Sequence, residues 1–181
     1  MKLMAIDGNS IINRAYYGIR PLTTRDGLYT HAVFGFLTTL LRLREEEKPD
    51  AVCVTFDVHA PTFRHTADEA YKATRKPMPE ELREQVPLMK EVLTAMHVTI
   101  VEKGGYEADD IIGTISRMAE RDGYATVIVS GDRDLLQLAT DTILVRIPKT
   151  KATGTTIENY YAKDVVEAYG VTPVQFIDCL L

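Results

Sequence analysis

Short apolar runs separated by helical patterns recur along this chain, and no other feature limits its possible folds as much. "KLMAI" (2–6), "AVCVTF" (51–56), "VTIV" (98–101), "ATVIVS" (125–130) and "TILVRI" (142–147) read as short strands, mostly buried. Between them, "HAVFGFLTTLLRLREEE" (31–47) has helical spacing and stops at Lys48-Pro49. "MPEELREQVPLMKEVLTAMH" (78–97) opens on a proline and two glutamates, a helix start, and Pro87 within it is expected to kink or interrupt the helix. "EADDIIGTISRMAERDG" (107–123) ends on Gly123 as a C-cap. Strands alternating with helices predict an α/β fold: a central, mostly parallel, twisted sheet with helices on both faces. A length of 181 residues without repeats fits one domain, 1–181.

Two stretches break the rhythm. Residues 58–79, "VHAPTFRHTADEAYKATRKPMP", are polar, basic-leaning and framed by prolines; residues 148–156, "PKTKATGTT", read as a basic hairpin or loop. Long irregular segments in compact domains are more often functional than idle. No apolar run approaches the roughly 20 residues needed to span a bilayer, so no membrane partner is expected. The N-terminus enters a strand directly, without a leader pattern, and Cys53 and Cys179 have neither zinc spacing nor disulfide density. A reducing, cytoplasmic compartment follows as the expectation. The formal charge of −5 argues mildly against a protein that coats nucleic acid through its whole surface.

The acids are concentrated where such a sheet binds ligands, outside the carboxyl ends of its strands. The first run ends at Asp7 in "AIDGN" and the second at Asp57 in "TFDVH"; the third is followed by Glu107, Asp109 and Asp110 in "EADD"; the fourth leads to Asp132 and Asp134 in "SGDRD". Each acid alone is explained by a turn or a helix cap. Together they repel, and burial raises their pKa values unless cations neutralise the group. At about 100° per residue, Glu107 and Asp110 share one margin of the apolar face formed by Ala108, Ile111, Ile112, Ile115, Met118 and Ala119, whereas Asp109 is rotated away. Glu107 and Asp110 are therefore expected nearest a metal, with Asp109 behind them. Hard oxygen donors without His or Cys favour Mg²⁺ or Mn²⁺. His31, His59, His65 and His97 lack mutual metal spacing and are expected to be structural or surface residues.

"AIDGNSIINRAYYG", "THAVFGF", "TFDV", "TFRHTADEAYKATR", "YEADDIIGT" and "VSGDRDLLQL" follow in order, and this ordered set resembles the 5′ nuclease (5′–3′ exonuclease and flap endonuclease) domain of the bacterial DNA polymerase I type. The resemblance implies a PIN-like core and a phosphodiesterase using two Mg²⁺ or Mn²⁺ ions, leaving a 5′-phosphate and a 3′-hydroxyl. It implies metal-binding roles for Asp7, Asp57, Glu107, Asp109, Asp110, Asp132 and Asp134. It makes residues 58–79 a helical arch or clamp over the single-stranded 5′ end. Within it Arg64, Tyr71, Lys72 and Arg75 would contact DNA, with Lys72 and Arg75 at the scissile and adjacent phosphates. Arg14 resembles a further phosphate contact, and Lys149 and Lys151 are weaker backbone candidates. The implied partner is DNA with a 5′ flap, a nick or a single-stranded 5′ end, and in a longer protein a covalently linked polymerase domain.

The resemblance stops at Leu181, before a segment with two further metal ligands and a helix–three-turn–helix element that grips duplex DNA. The expectation is a fragment whose second metal site is incomplete and whose activity is weakened or lost. The alternative is a non-catalytic DNA-junction binding module. An aspartate-nucleophile phosphatase, suggested by "AIDGN", is set aside because the required second Asp is Asn9.

Overall fold

The computed structural model describes residues 1–58, 62, 77–151 and 154–179. The chain forms β1 (Lys2–Asp7), α1 (Gly8–Gly18), α2 (His31–Glu47), β2 (Ala51–Thr55), α3 (Glu80–Ala95), β3 (Thr99–Val101), α4 (Ala108–Arg121) and β4 (Ala125–Val129). A 3₁₀ turn (Arg133–Leu138), β5 (Ile143–Lys151), β6 (Gly154–Tyr160), α5 (Ala162–Tyr169) and the short α6 (Pro173–Phe176) follow. The six strands lie in the order β3-β2-β1-β4-β5-β6. β1 to β5 are parallel, and β6 returns antiparallel to β5. This is the α/β sheet expected from the alternating runs.

The central strands are buried on both faces, and their alternate residues feed two separate cores. Met4 and Ile6 of β1 and Val127 and Val129 of β4 pack with Ile12, Phe36, Leu40, Leu82, Met89 and Leu93 from α1, α2 and α3. On the opposite face Ile128, Ile143, Val145 and Ile147 pack with Ile112, Leu135, Leu136, Val165 and Phe176. Because the side-chain period of a strand is two, one continuous apolar run serves both layers.

Three local expectations change. Pro87 does not interrupt α3, which runs from Glu80 to Ala95 around it. Leu82, Gln85, Met89 and Leu93 are buried along one side of that helix, and this packing outweighs the lost backbone hydrogen bond. Of the expected strand 142–147, residues 143–147 are only the first part of β5, which continues through "PKTK" into a hairpin with β6. On the expected apolar face of α4 Met118 stays half-exposed, while the helix also buries Ser116.

The α2 N-terminus is capped from a different helix. Thr30 gives it no side-chain cap. Instead Gln85 of α3, fully buried, accepts the N–H groups of Ala32 at 2.8 Å and Val33 at 3.4 Å through Oε1. Its Nε2 donates to the Glu81 carbonyl at 2.9 Å. Nearby, His31 is buried and its ring lies beside Tyr16 and Tyr29, consistent with the structural role expected of it. Leaving buried donors unsatisfied costs about 1–3 kcal/mol, and each kcal/mol shifts the melting midpoint of a domain this size by roughly 2–4 °C. Gln85→Met, which keeps the volume and removes the acceptor, is therefore expected to lower the thermal midpoint by about 5–10 °C. A calorimetric scan matching the parent chain would show that this cap contributes nothing.

Candidate active site at the carboxyl edge of the sheet

The chain runs from β1 outward through β2 to β3, then crosses back to place β4 on the other side of β1. The β1/β4 boundary is thus the topological switch point, where an open parallel sheet leaves a crevice at its carboxyl edge. Asp7 ends β1 there and also caps α1. Its Oδ1 accepts the Ser10 N–H at 2.9 Å, and its Oδ2 accepts the Ser130 hydroxyl at 2.7 Å. The Ser130 Oγ in turn accepts the Asp132 N–H at 3.0 Å, and the Gly131 N–H donates to Ser10 Oγ at 2.8 Å. Two hydroxyls thereby join the start of α1 to the loop after β4.

Two glycines make this approach possible. A Cβ on Gly8 would stand 2.5 Å from the Phe56 ring and 2.7 Å from the Thr55 carbonyl, and one on Gly131 would stand 2.9 Å from Ser10 Oγ. The glycines of "DGN" and "SGD" are required by this close packing of strand ends.

Asp57, just after β2, accepts Asn9 Nδ2 through Oδ2 and the Ala108 N–H through Oδ1, both at 2.7 Å. Ala108 is the first residue of α4, so Asp57 satisfies a helix N–H that has no partner within the helix and seats the helix against the sheet. Glu107 is the N-cap of α4 and forms a reciprocal capping box with Asp110, whose Oδ2 accepts the Glu107 N–H at 3.0 Å. Asp132 repeats the device at the 3₁₀ turn, accepting the Asp134 N–H at 3.0 Å.

Asp7, Asp57, Asp109 and Asp132 line one cleft of about 190 Å³, together with Asn9, Ser10 and Asn13. Glu107, Asp110 and Asp134 line an adjoining groove of about 360 Å³, which Asp109 also borders. The "EADD" acids differ in location: Asp109 borders both the cleft and the groove, while Glu107 and Asp110 line the groove. The capping box turns Glu107 and Asp110 toward the start of their own helix, and Asp109 faces the strand ends. The neutral residues Asn9, Ser10, Asn13 and Ser130 were not identified from the sequence as part of the site. Their only signal is proximity to Asp7 and Asp132 in the chain.

The electrostatics follow from crowding. Burial, with Asp109 and Asp57 adding repulsion, pushes the Asp7 carboxyl up from 3.8 to about 6, against the hydrogen bonds from Ser10 and Ser130. Asp109 is raised by burial first, and also by Glu107, Asp57 and Asp132; Asp134 is raised by burial and by Asp132. A divalent cation would relieve this repulsion, and oxygen-only donors suit a hard ion. Among the described residues no three Asp, Glu, His or Cys side chains already converge as a coordination shell. The donor chemistry fits the ion, while several of the acids are held by backbone and amide donors.

Arg14 lies one turn beyond Ser10 on α1, with Nη1 3.9 Å from where a Cβ of Gly131 would stand. Burial lowers its pKa, and its Nε is buried with no hydrogen-bond partner among the described residues. Lys149 is paired with Glu158 at 2.6 Å, which weakens its candidacy as a DNA contact. Arg64, Tyr71, Lys72 and Arg75 lie outside the described residues, as does most of the expected arch.

Over residues 2–170 the chain matches the family described as "5'-3' exonuclease, N-terminal resolvase-like domain". It is 43% identical over 178 residues to DNA polymerase I of Caldicellulosiruptor bescii, covering 98% of this chain and 21% of that protein. With DNA polymerase I of Bacillus subtilis it shares 44% over 177 residues, covering 98% of this chain and 20% of the relative. The chain thus spans about a fifth of the length of these relatives. A zinc-bound bacteriophage T5 5′-exonuclease superposes with a TM-score of 0.69 at 20% identity, over 97% of this chain and 64% of that one. Human GEN1, solved with Holliday junction DNA, gives a TM-score of 0.56 at 13% identity, over 95% of this chain and 41% of that one. Both structural likenesses establish the fold.

The raised Asp7 value carries a stability consequence. The folded-state pKa of about 6 lies above the ordinary 3.8, so the folded chain holds this proton more tightly. That contribution is complete below about pH 4 and is lost as pH rises through 6. At about 1.4 kcal/mol per unit, ionised Asp7 costs on the order of 3 kcal/mol. Asp7→Asn keeps an N-cap side chain and removes the charge. With chelator present it is expected to melt several degrees above the parent at pH 8, and the gap should close toward pH 4. A gap that does not grow with pH would show that Asp7 is not electrostatically strained.

Proposed function

The chain belongs to the family of 5′-3′ exonuclease N-terminal resolvase-like domains, and from that premise we propose that it is a divalent-metal-dependent 5′ nuclease acting on DNA flaps, nicks and single-stranded 5′ ends. The observation carrying this proposal is the convergence of Asp7, Asp57, Asp109 and Asp132 on one cleft at the switch point, from four separate segments of the chain. A binding module needs no cluster of carboxylates in its cleft, because such a cluster repels the phosphodiester backbone. A nuclease does, because cations held there reverse the sign of the local field.

In this proposal Asp7, Asp57, Asp109 and Asp132 hold a first ion, and Glu107, Asp110 and Asp134 serve a second in the adjoining groove. Mg²⁺ is the proposed physiological ion and Mn²⁺ its substitute. Bound there, the ions supply Lewis acidity to polarise the phosphodiester and lower the pKa of an attacking water. The chain supplies the frame. Ser130, Ser10 and Asn9 fix the orientation of Asp7 and Asp57 through the hydrogen bonds described above. Asn13 adds an amide at the rim. Arg14 is proposed to hold a phosphate beside the scissile one through its terminal amino groups, a reading supported by its position next to Gly131. Arg64, Tyr71, Lys72 and Arg75 are proposed to complete DNA binding from the arch, with Lys72 and Arg75 at the reacting phosphates. No protein nucleophile is required, and the products carry a 5′-phosphate and a 3′-hydroxyl.

A polymerase domain is proposed to accompany this chain in the whole protein, as it does in its relatives, and the setting is cytoplasmic. Among the described residues no helix is long and apolar enough to cross a membrane.

Cleavage of a 5′-flap duplex should require Mg²⁺ or Mn²⁺ and stop on addition of EDTA. Asp109→Ala is expected to lower the rate by on the order of 10²–10³, with flap binding retained. Cleavage that persists in EDTA, or an alanine variant as fast as the parent, would refute the catalytic assignment. Salt-dependent flap binding without turnover under any metal would instead identify a junction-binding module.

A further inference from the structure

Arg133 stands in sequence between Asp132 of the cleft and Asp134 of the adjoining groove, yet its guanidinium is directed elsewhere. Nη1 donates to the Tyr169 hydroxyl at 2.6 Å, and Nη2 lies 3.7 Å from Glu158 Oε2. The guanidinium carbon is also 5.8 Å from the centroid of the Tyr169 ring. Tyr169 is itself fixed, edge-on to Phe176 with ring centroids 5.0 Å apart, and Phe176 belongs to the core beneath the 3₁₀ turn. Lys149 holds the other oxygen of Glu158, Oε1, at 2.6 Å, and the Tyr160 hydroxyl donates to Oε2 at 2.9 Å.

We infer that Arg133 is a positioning residue for the metal site, clamping the turn that carries Asp132 and Asp134 onto β6 and α5. This rests on the proposed nuclease function and gives a role to the arginine of "SGDRD", to which the acidic reading of that motif assigned none. The 3₁₀ turn Arg133–Leu138 is short and has poorer hydrogen-bond geometry than an α-helix. Leu135 and Leu136 anchor its apolar side in the core, while Arg133 fixes its exposed beginning, where both carboxylates stand. The clamp also keeps a cation away from carboxylates that must receive a metal. Outer partners that orient metal-binding carboxylates commonly change affinity by about 10–100-fold.

The test separates positioning from simple charge. Arg133→Ala removes a positive charge near an acidic cleft, so electrostatics alone would tighten Mn²⁺ binding. Tyr169→Phe changes no charge and keeps the ring that sits edge-on to Phe176. If Arg133 positions the turn, calorimetric titration with Mn²⁺ should show both variants binding about tenfold more weakly than the parent. Combining them should be no worse than the weaker single variant, since both remove one clamp. Arg133→Lys, which keeps the charge but loses the fork, should fall between. Thermal midpoints measured alongside confirm that the variants are folded. Unchanged Mn²⁺ affinity in Tyr169→Phe, or tighter binding in Arg133→Ala, overturns the inference and leaves the nuclease proposal standing. A parent chain that takes up no Mn²⁺ overturns both.

Discussion

Asp7 ends the central strand of the sheet, buried, held by Ser10 and Ser130 and repelled by Asp57 and Asp109, and the surrounding structure is built around that position. One carboxylate performs three tasks there. It terminates β1, starts α1 as its N-cap and joins the β1 end to the loop after β4. The two glycines, the two serine hydroxyls and the α1 N-terminus are arranged around it. A buried acid with its pKa raised to about 6 is costly for an uncharged core to retain. A cation in the cleft, as proposed, would convert that cost into affinity.

The same economy recurs at each other strand end. Asp57 docks the first N–H of α4, Asp110 caps the same helix reciprocally with Glu107, and Asp132 caps the 3₁₀ turn. Reading these acids as caps and reading them as metal donors are thus compatible. Local hydrogen bonds place the carboxylates, and the topology brings them together. Asp109 is the acid free of the capping box, and it borders both the cleft and the adjoining groove.

The layers of the fold were legible because apolar runs and helical periodicity are local properties of the chain. The acidic strand ends were legible for the same reason, once the sheet was taken to be parallel. The capping box was harder to see. Angular position on a helix says which residues share a face, but it does not say that the first turn folds back on its own backbone. Pro87 illustrates the converse limit, because a local breaker yields to the burial of Leu82, Met89 and Leu93 on its helix. Asn9, Ser130 and the Arg133 clamp were invisible because each acts through a partner distant in sequence: Asp57, Asp7 and Tyr169 respectively. β6 was missed because "TTIENYY" has no long apolar run, and its strand character comes from pairing with β5.

The central claim is that the carboxylates at the switch point form a divalent-cation site. Anomalous diffraction from a crystal soaked in Mn²⁺ tests it most directly. A peak within coordinating distance of Asp7, Asp57, Asp109 and Asp132 is the predicted result, with a second, weaker one toward Glu107, Asp110 and Asp134. A crystal with no peak among these residues, or with Mn²⁺ bound only elsewhere on the surface, would contradict the account.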